Sequence, residues 1–270
     1  MFLHDFIKKI LSLKNSALIL KQFTQREIRA KYQNTVLGTG WIFVMPLLLL
    51  AVFTFVFNGI FQMKWPHDES QGPLNFALFV FVGLIIHQTF AEVLSRSPTL
   101  FTSQTNLITK VVFPLWALPA SIVLSAMYHL FLTMLLFAII LLFLSTPFLT
   151  WLVVPILILP FIIASLGLSL LITSLGVYLR DLGQIMGLLV TLLMFLTPIF
   201  YPLSAVKGSA GFWLSLNPMA VLIEALRSAI LLNEWPPLSS HVYLWAFSLA
   251  SLLVGTFVYL KLKRGFADVL

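Results

Sequence analysis

The amino-acid sequence predicts an all-α integral membrane protein with six transmembrane helices. Of its 270 residues, 60% are hydrophobic and 9% are charged, whereas a soluble domain carries about 25% charged residues. Apolar stretches of at least the ~20 residues needed to cross the hydrocarbon core cover residues 37–61, 74–95, 115–145, 150–179, 184–203 and 241–260. They leave no room for a separate soluble catalytic domain.

The distribution of basic residues predicts which side of the membrane each connection faces. Thirteen of the sixteen Lys and Arg residues precede the first span, lie between spans two and three or four and five, or follow the last span. Only Lys64, Lys207 and Arg227 fall in the alternate connections. By the positive-inside rule, both termini are expected in the cytoplasm. Bases dispersed at membrane borders favour anionic lipids as partners and not nucleic acid.

The first 34 residues are expected to form a cytoplasmic interface segment ahead of a transmembrane domain at residues 35–270. Residues 2–13 place apolar side chains along one helical face and polar side chains along the other. This pattern is typical of a short basic amphipathic helix on a membrane surface. The polar residues 21–34 then lead into the first span.

Spans three and four are expected to meet in a tight hairpin at residues 145–147. Pro155 and Pro160 are expected to interrupt the fourth span near its outer end. Farther along this span, small residues predict a face for close helix packing. They are Ser165, Gly167, Ser169, Thr173 and Gly176.

The connection between spans five and six is unusual, because its charge places it outside and yet it is strongly apolar. A helical run begins at Asn217-Pro218 and is too short to cross the membrane easily. A re-entrant or interfacial segment at about residues 198–232 explains it better than a seventh span, which would put the C-terminal bases outside. Glu224 and Arg227 are expected to form a local i,i+3 ion pair, with contact to a substrate as the alternative.

The chain lacks the sequence motifs of common enzymes. It has no phosphate loop, no His-Glu-x-x-His and no Gly-x-Ser-x-Gly, and the absence of Cys excludes disulfides and thiolate chemistry. We therefore predict no catalytic residue and no metal site. His87 and His129 are expected to bond to neighbouring helices, with a proton relay or metal site as the alternative. Glu92 and Arg96 have the favourable i,i+4 order of a structural ion pair.

Several short motifs run in order through the whole chain. They are residues 26–32, 37–41, Pro46, 106–114, Pro119, 178–182, 197–201, 217–219 and 264–270. This ordered set, with six spans, resembles the ABC-2 type permeases that export polysaccharides, most closely those for O-antigen. The family implies a homodimer with a channel at its interface and two separately encoded ATPase subunits that hold ATP and Mg. It also implies a lipid-linked glycan substrate and a bacterial inner membrane.

The resemblance also suggests roles for particular residues. It gives ATPase coupling to Thr105, Asn106, Lys110, Arg180, Asp181 and Leu182. It gives an external gate to Pro198, Tyr201, Asn217, Pro218, Glu224 and Arg227. It places Arg26, Arg29 and Lys31 at the membrane–ATPase border, where they attract phosphate, with lipid headgroup binding as an equal alternative.

The outer aromatic residues and the cargo are each open to two interpretations. Trp65, Tyr201 and Trp213 fit an interfacial aromatic belt, and stacking on sugar rings of a departing glycan is the alternative. For the cargo, O-antigen is the first expectation, and teichoic acid, capsule, a drug or a lipid are the alternatives. An intramembrane enzyme acting on lipid-linked sugars would need a polar cluster, and His87, Glu92 and His129 are scattered in sequence. A passive channel or scaffold would need no ATPase partner.

Overall fold

The computed structural model contains helices joined by short connections across its described residues, which are 2–33, 35–61, 65, 75–110, 113–144, 149–206 and 208–270. The α-helices are α1 (Phe2–Tyr32), α2 (Trp41–Phe53), α3 (Asn75–Arg96), α4 (Thr105–Lys110), α5 (Ala117–Phe143), α6 (Val154–Gly176), α7 (Leu182–Leu196), α8 (Ser209–Ser215), α9 (Pro218–Ile230), α10 (Leu238–Leu262) and α11 (Phe266–Val269). A seven-residue π-helix, Thr54–Ile60, extends α2.

Five helical stretches in the described part of the chain are long and apolar enough to cross a membrane. They are Gly38–Phe57, Phe76–Arg96, Ala117–Phe143, Leu149–Gly176 and Leu238–Gly265. A sixth candidate is the pair α8 and α9, which bends by 82° as a broken span or a re-entrant loop does. The predicted fold class of a multi-span helical membrane protein, with a bent apolar segment before the last span, is confirmed.

The fifth span is shorter than the predicted 184–203. Helix α7 ends at Leu196 after 15 residues, and Thr197 is extended, with φ −108° and ψ 137°. A residue before proline is sterically disfavoured in the α conformation, and Pro198 follows directly. At 1.5 Å per residue α7 is about 22 Å long, less than the ~30 Å of a hydrocarbon core.

The N-terminal helix is longer than predicted. Helix α1 runs for 31 residues, so the polar stretch that was expected to follow a short amphipathic helix is itself helical. No Gly or Pro occurs between Phe2 and Tyr32 to end it, and α1 packs along α5. The predicted amphipathic side-chain pattern at residues 2–13 lies outside the described side chains.

The two prolines of the fourth span do not interrupt it, contrary to the prediction. Pro155 occupies the first turn of α6, where its missing N–H has no helical partner to lose. Pro160 lies inside the continuous helix, near its start, and removes a single bond to the preceding turn. The predicted hairpin at residues 145–147 lies outside the described residues.

The small-residue face of α6 packs as predicted. All five of its members are buried. A Cβ added at Gly167 would lie 2.4 Å from the carbonyl oxygen of Ser251, and one added at Gly255 would lie 1.9 Å from the carbonyl oxygen of Gly167. The backbones of α6 and α10 therefore touch at this crossing, which explains why small residues are required there.

The end of the bundle that carries Arg96, Lys110, Arg180 and Lys261 is called the basic end below. The main apolar core is formed mostly by side chains of α3, α5, α6 and α9. A second apolar cluster holds the basic end together and consists of Leu100, Phe101, Ile108, Leu118, Ile122, Leu170, Val177, Tyr259 and Phe266. These residues come from the α3–α5 connection, from α5 and α6, and from the C-terminus. The connections at this end are therefore packed against the spans as one cluster.

Candidate functional site

The two connections that carry the predicted coupling residues are neighbours at the basic end. A Cβ added at Gly176, at the end of α6, would lie 2.0 Å from the carbonyl oxygen of Pro98 in the α3–α4 connection. The side chains of Asn106, Lys110, Arg180 and Asp181 are exposed there, and Thr105 is partly buried. Leu182 differs, because it is buried in the main core. Polar groups from both connections thus present themselves to a partner, while Leu182 anchors α7.

Helix α1 docks on the same connection through Arg26. Its Nη2 donates a hydrogen bond of 2.8 Å to Oε1 of Gln104, the residue before Thr105. The guanidinium also lies 5.2 Å above the ring of Phe23, which in turn packs 5.5 Å from the ring of Phe113. Arg29, the second predicted border residue, is exposed. A displacement of the α4 connection would therefore reach α1 directly.

A charged cluster, comprising Glu27, Lys31, Glu92, Arg96 and His129, ties α1 to α3 and α5. Glu27 is only 7% exposed and pairs with Arg96. Glu92 accepts from Lys31 Nζ at 2.8 Å and from Arg96 Nη1 at 3.4 Å, which confirms the predicted i,i+4 pair. Lys31 Nζ also lies 3.3 Å from His129 Nδ1. Each carboxylate therefore bridges the interface helix and the second span.

The prediction that each histidine bonds to a neighbouring helix has a different outcome for His129 and His87. The predicted bond from His129 to a neighbouring helix is confirmed by its contact with Lys31 of α1. A lysine ammonium has only protons to offer, so Nδ1 of this ring is the acceptor. The buried Nδ1 of His87 has no hydrogen-bond partner among the described residues. Nowhere in the described ranges do three or more His, Cys, Asp or Glu residues converge as metal ligands would.

The burial of Glu27 and the position of Gln88 were not predicted from the sequence. Glu27 lies among three basic residues at positions 26–31, and its burial is explained only by Arg96, which the structure places opposite it. Burial, with Glu92 and Tyr128 nearby, raises the pKa of the Tyr32 phenol to about 12, so this group beside the cluster stays neutral. Gln88 was also overlooked, although an amide within an apolar span is a signal of function.

Two cavities open beside α3 and adjoin one another. The larger, of 830 Å³, lies between α2, α3 and α5 and is lined by Tyr32, Met45, Phe81, Ile85 and His129 among others. The smaller is an open groove of 610 Å³ between α1 and α3. Both are lined by the same three polar side chains: Lys31, Gln88 and Glu92.

At the opposite end of α3, Arg227 of α9 forms the centre of the predicted external gate. Its side chain is 1% exposed. The guanidinium donates to the backbone carbonyl oxygens of Phe79 (2.9 Å), Pro198 (2.6 Å) and Ile199 (2.8 Å). Its Cζ lies 4.6 Å from the centre of the Trp65 ring. The carbonyls left free where α7 ends are thus satisfied by one guanidinium. The predicted pair with Glu224 is confirmed at 3.0 Å.

Asn217 and Pro218 hold the start of α9 against the end of α7. The Asn217 side chain accepts from the Met219 amide at 2.9 Å, and Pro218 occupies the first turn. The side-chain Nδ2 of Asn217 donates to the Leu196 carbonyl at 3.2 Å and to Thr197 Oγ1 at 3.1 Å. Hydrogen bonds of Asn217 therefore join the start of α9 to the end of α7.

The three outer aromatic residues differ in how accessible they are. Trp65 is 7% exposed, and its ring stacks on Phe79 at 4.8 Å. The Tyr201 hydroxyl donates to the Phe195 carbonyl at 2.9 Å, with the ring partly buried. Trp213 is 68% exposed on α8. Of the three, Trp213 has the ring most open to a passing sugar in this conformation.

Neutralising Glu27 is expected to loosen α1 from the spans. In Glu27→Gln the buried charge that faces Arg96 is lost, and a charge-assisted bond of this kind contributes about 1.5–3 kcal/mol. We expect a lower temperature for loss of monodisperse elution in detergent. Glu234→Gln, an exposed carboxylate in the α9–α10 connection, is the matched control. Equal melting temperatures for the two variants would contradict a stabilising role for the cluster.

Comparison with known proteins reveals a family match over most of the chain. A family model described as ABC-2 type transporter matches residues 19–231. The chain is similar to the O-antigen export system permease protein RfbA of Myxococcus xanthus, with 28% identity over 93% of this chain and 94% of the relative. It is 28% identical to RfbA of Klebsiella pneumoniae over 93% and 95% of the two chains. It is 25% identical to the polysialic acid transport protein KpsM of Escherichia coli over 87% and 89%.

Proposed function

The chain belongs to the ABC-2 type transporter family, and on that premise we propose that it moves lipid-linked polysaccharide, and O-antigen in particular, across the bacterial inner membrane. As an ABC-2 permease it is the transmembrane subunit, and ATP hydrolysis belongs to a separate partner. The predicted family resemblance is thereby confirmed, and the alternatives of an intramembrane enzyme and a passive scaffold lose their ground.

The similarity to O-antigen export permeases over almost the full length of both chains carries the proposal of cargo. The family model matches residues 19–231, which include the charged cluster and the predicted gate. A capsule-type polysaccharide is the second candidate, because the polysialic acid transport protein is also similar, at lower identity and coverage.

The proposed assembly contains two copies of this chain and two ATPase subunits, which hold ATP and Mg. Apolar side chains on α2 and α7 are exposed in the single chain, among them Leu48, Val52, Leu188, Leu192 and Phe195. We assign these faces to the second copy around a channel, with lipid covering the remainder. Both termini and the basic end would face the cytoplasm, where the ATPase subunits bind.

Coupling would pass from the ATPase through the exposed α4 and α6–α7 connections. Both connections pack with the C-terminal residues in one apolar cluster, so a displacement of one connection would be transmitted to the others. The hydrogen bond of Arg26 to Gln104 would transmit it to α1. At the far end, Arg227 and Asn217 would hold the gate segment closed until glycan arrives. Two-state movement of packed elements is the usual means by which such signals travel.

The proposal is tested first by purification from native membranes in mild detergent, with mass spectrometry of stoichiometric partners. We expect an equimolar ATPase with a phosphate loop. A deletion strain should then lose surface O-antigen and accumulate its lipid-linked precursor inside. Loss of capsule with intact O-antigen would transfer the function to the second candidate. A chain that purifies alone, under conditions that preserve other membrane complexes, would contradict the exporter.

Charge reversal at the α6–α7 connection is expected to uncouple the transporter. Arg180→Glu or Asp181→Lys replaces a group presented to the ATPase by its opposite, so ATP hydrolysis should continue while export falls more than about tenfold, or about 1.4 kcal/mol in barrier terms. Export and phosphate release are measured together in inverted vesicles. Glu234→Lys, at an exposed carboxylate in the α9–α10 connection, away from the basic end, controls for charge alone. Full export by both reversed variants would remove the coupling role.

A further inference from the structure

We propose that the two adjoining cavities beside α3 form the binding site for the lipid-linked end of the glycan before export. The hydrocarbon chain would occupy the larger cavity, the phosphate would lie at Lys31, and the first sugars would occupy the groove. This inference rests on the proposed function and adds the place and the groups by which the cargo is recognised. Both volumes, 830 and 610 Å³, lie within the ~300–1,000 Å³ of typical ligand sites.

The larger cavity changes from polar to apolar along its length. Near α1 it is lined by Lys31, Tyr32, Gln88 and Glu92, and deeper in the bundle by apolar side chains. The deeper lining is mostly apolar and includes Met45, Pro46, Leu49, Phe81, Ile85 and Leu130, with the hydroxyl residues Thr89 and Thr133 among them. From Glu92 to Phe81 along α3 the distance is about 16 Å. This gradient, over that length, fits an amphiphile with one charged end.

Gln88 is the most telling residue of the site. Helix α3 is otherwise buried from Phe76 to Phe90, and Gln88 is exposed within that stretch. No side-chain hydrogen bond within the described residues involves its amide. The exposed amide lies between the two cavities, beside the charged groups of Lys31 and Glu92, where it can bond to a polar ligand. The amide supplies both donors and an acceptor, as sugar hydroxyls require.

Lys31 and Glu92 complete the head of the site. An ammonium has three N–H donors, and Lys31 uses two, toward Glu92 Oε2 and His129 Nδ1. The third is available for a phosphate oxygen at the junction of the cavities. Glu92 lies one helical turn from Gln88 on the same face of α3, where its carboxylate accepts from hydroxyls.

The groove favours a sugar over a phospholipid headgroup. Its walls are polar or small: Glu27, Ala30, Lys31, Gln88, Ala91, Glu92, Ser95 and Arg96. Carboxylate, amide and guanidinium groups in mixture bind hydroxyls well, whereas a simple anionic lipid needs positive charge alone. Because the groove continues from the phosphate position away from the apolar cavity, it would extend along a glycan and not along a second acyl chain.

The test uses the full chain in complex with its ATPase and a defined probe. The probe is a hydrocarbon-linked disaccharide diphosphate that carries a diazirine in its chain. After irradiation, we expect labelled peptides that contain Met45 or Leu49 and Phe81 or Ile85. Unlabelled probe should compete, and phosphatidylglycerol should not. Labelling of other spans, or equal competition by phosphatidylglycerol, would overturn the site.

Gln88→Leu is the decisive variant. Loss of one or two hydrogen bonds should lower labelling about three- to tenfold. Gln184→Leu, the same change on an exposed position of α7, should leave labelling intact. Lys31→Gln should weaken competition by the unlabelled diphosphate. This variant replaces Gln88→Leu as the test if Gln88→Leu fails to elute as a single complex. Native labelling in both Gln88→Leu and Lys31→Gln would overturn the proposal.

Uptake of the same probe into inverted vesicles separates this inference from the proposed function. ATP-driven uptake with labelling outside the two cavities would refute the site and leave the exporter standing. Labelling of the cavities without ATP-driven uptake would support the site and contradict this cargo for the exporter.

Discussion

Replacing Arg227 by methionine is expected to abolish export and lower the melting temperature sharply. The change removes the donors that satisfy the carbonyl oxygens of Pro198 and Ile199, and an additional bond to Phe79, whose carbonyl also lies within the helical ladder of α3. Each buried acceptor left unpaired costs about 1–3 kcal/mol, so the two after α7 together cost at least about 2 kcal/mol. For a chain of this size that corresponds to roughly 4–8 °C.

Lysine should not rescue this position. Arg227 bonds to three carbonyls and Glu224 through a planar fork, and an ammonium cannot reproduce that geometry. Arg227→Lys is therefore expected to behave nearly as Arg227→Met, whereas Arg29→Lys, at an exposed position, should be silent. Melting is followed by fluorescence-detected elution, and export by surface glycan staining. A native melting temperature in Arg227→Lys would contradict the role of the fork.

The substitution Gly255→Ala is expected to destabilise the protein strongly, although Gly→Ala in a helix usually stabilises it. Alanine normally stabilises a helix relative to glycine by about 1 kcal/mol. At Gly255 the added Cβ would lie 1.9 Å from the carbonyl oxygen of Gly167, which is backbone and cannot turn aside. Helices α6 and α10 would have to separate, at an expected cost of more than about 3 kcal/mol, above the ~1–3 kcal/mol of ordinary overpacking.

Gly187→Ala provides the matched comparison. Gly187 also lies within a helix, and a Cβ added there meets nothing within 4 Å. It should raise the melting temperature slightly while Gly255→Ala lowers it by several degrees, in the same detergent. If both variants melted alike, close approach of α6 and α10 would not be what stabilises the bundle.

Local sequence patterns predicted the elements whose causes are themselves local. Apolar length predicted the spans, Asn217-Pro218 predicted the start of α9, and the spacing of Glu92 and Arg96 predicted their pair. The same reasoning misplaced the end of α7 because the steric effect of Pro198 on Thr197 outweighed the apolar run that continues past it. It also predicted an interruption at Pro160, around which α6 continues as one helix with the loss of a single backbone bond.

The sequence by itself determined the membrane class, the order of the spans and the family, because hydropathy and ordered motifs are properties of the chain alone. Only the tertiary structure decided which groups meet. Glu27 is buried because α1 lies against α3 near Arg96, and Gln88 lines two cavities because α1 and α2 each leave space beside α3. Contacts between distant segments depend on how each helix is rotated and how closely it packs, and no local pattern encodes either quantity.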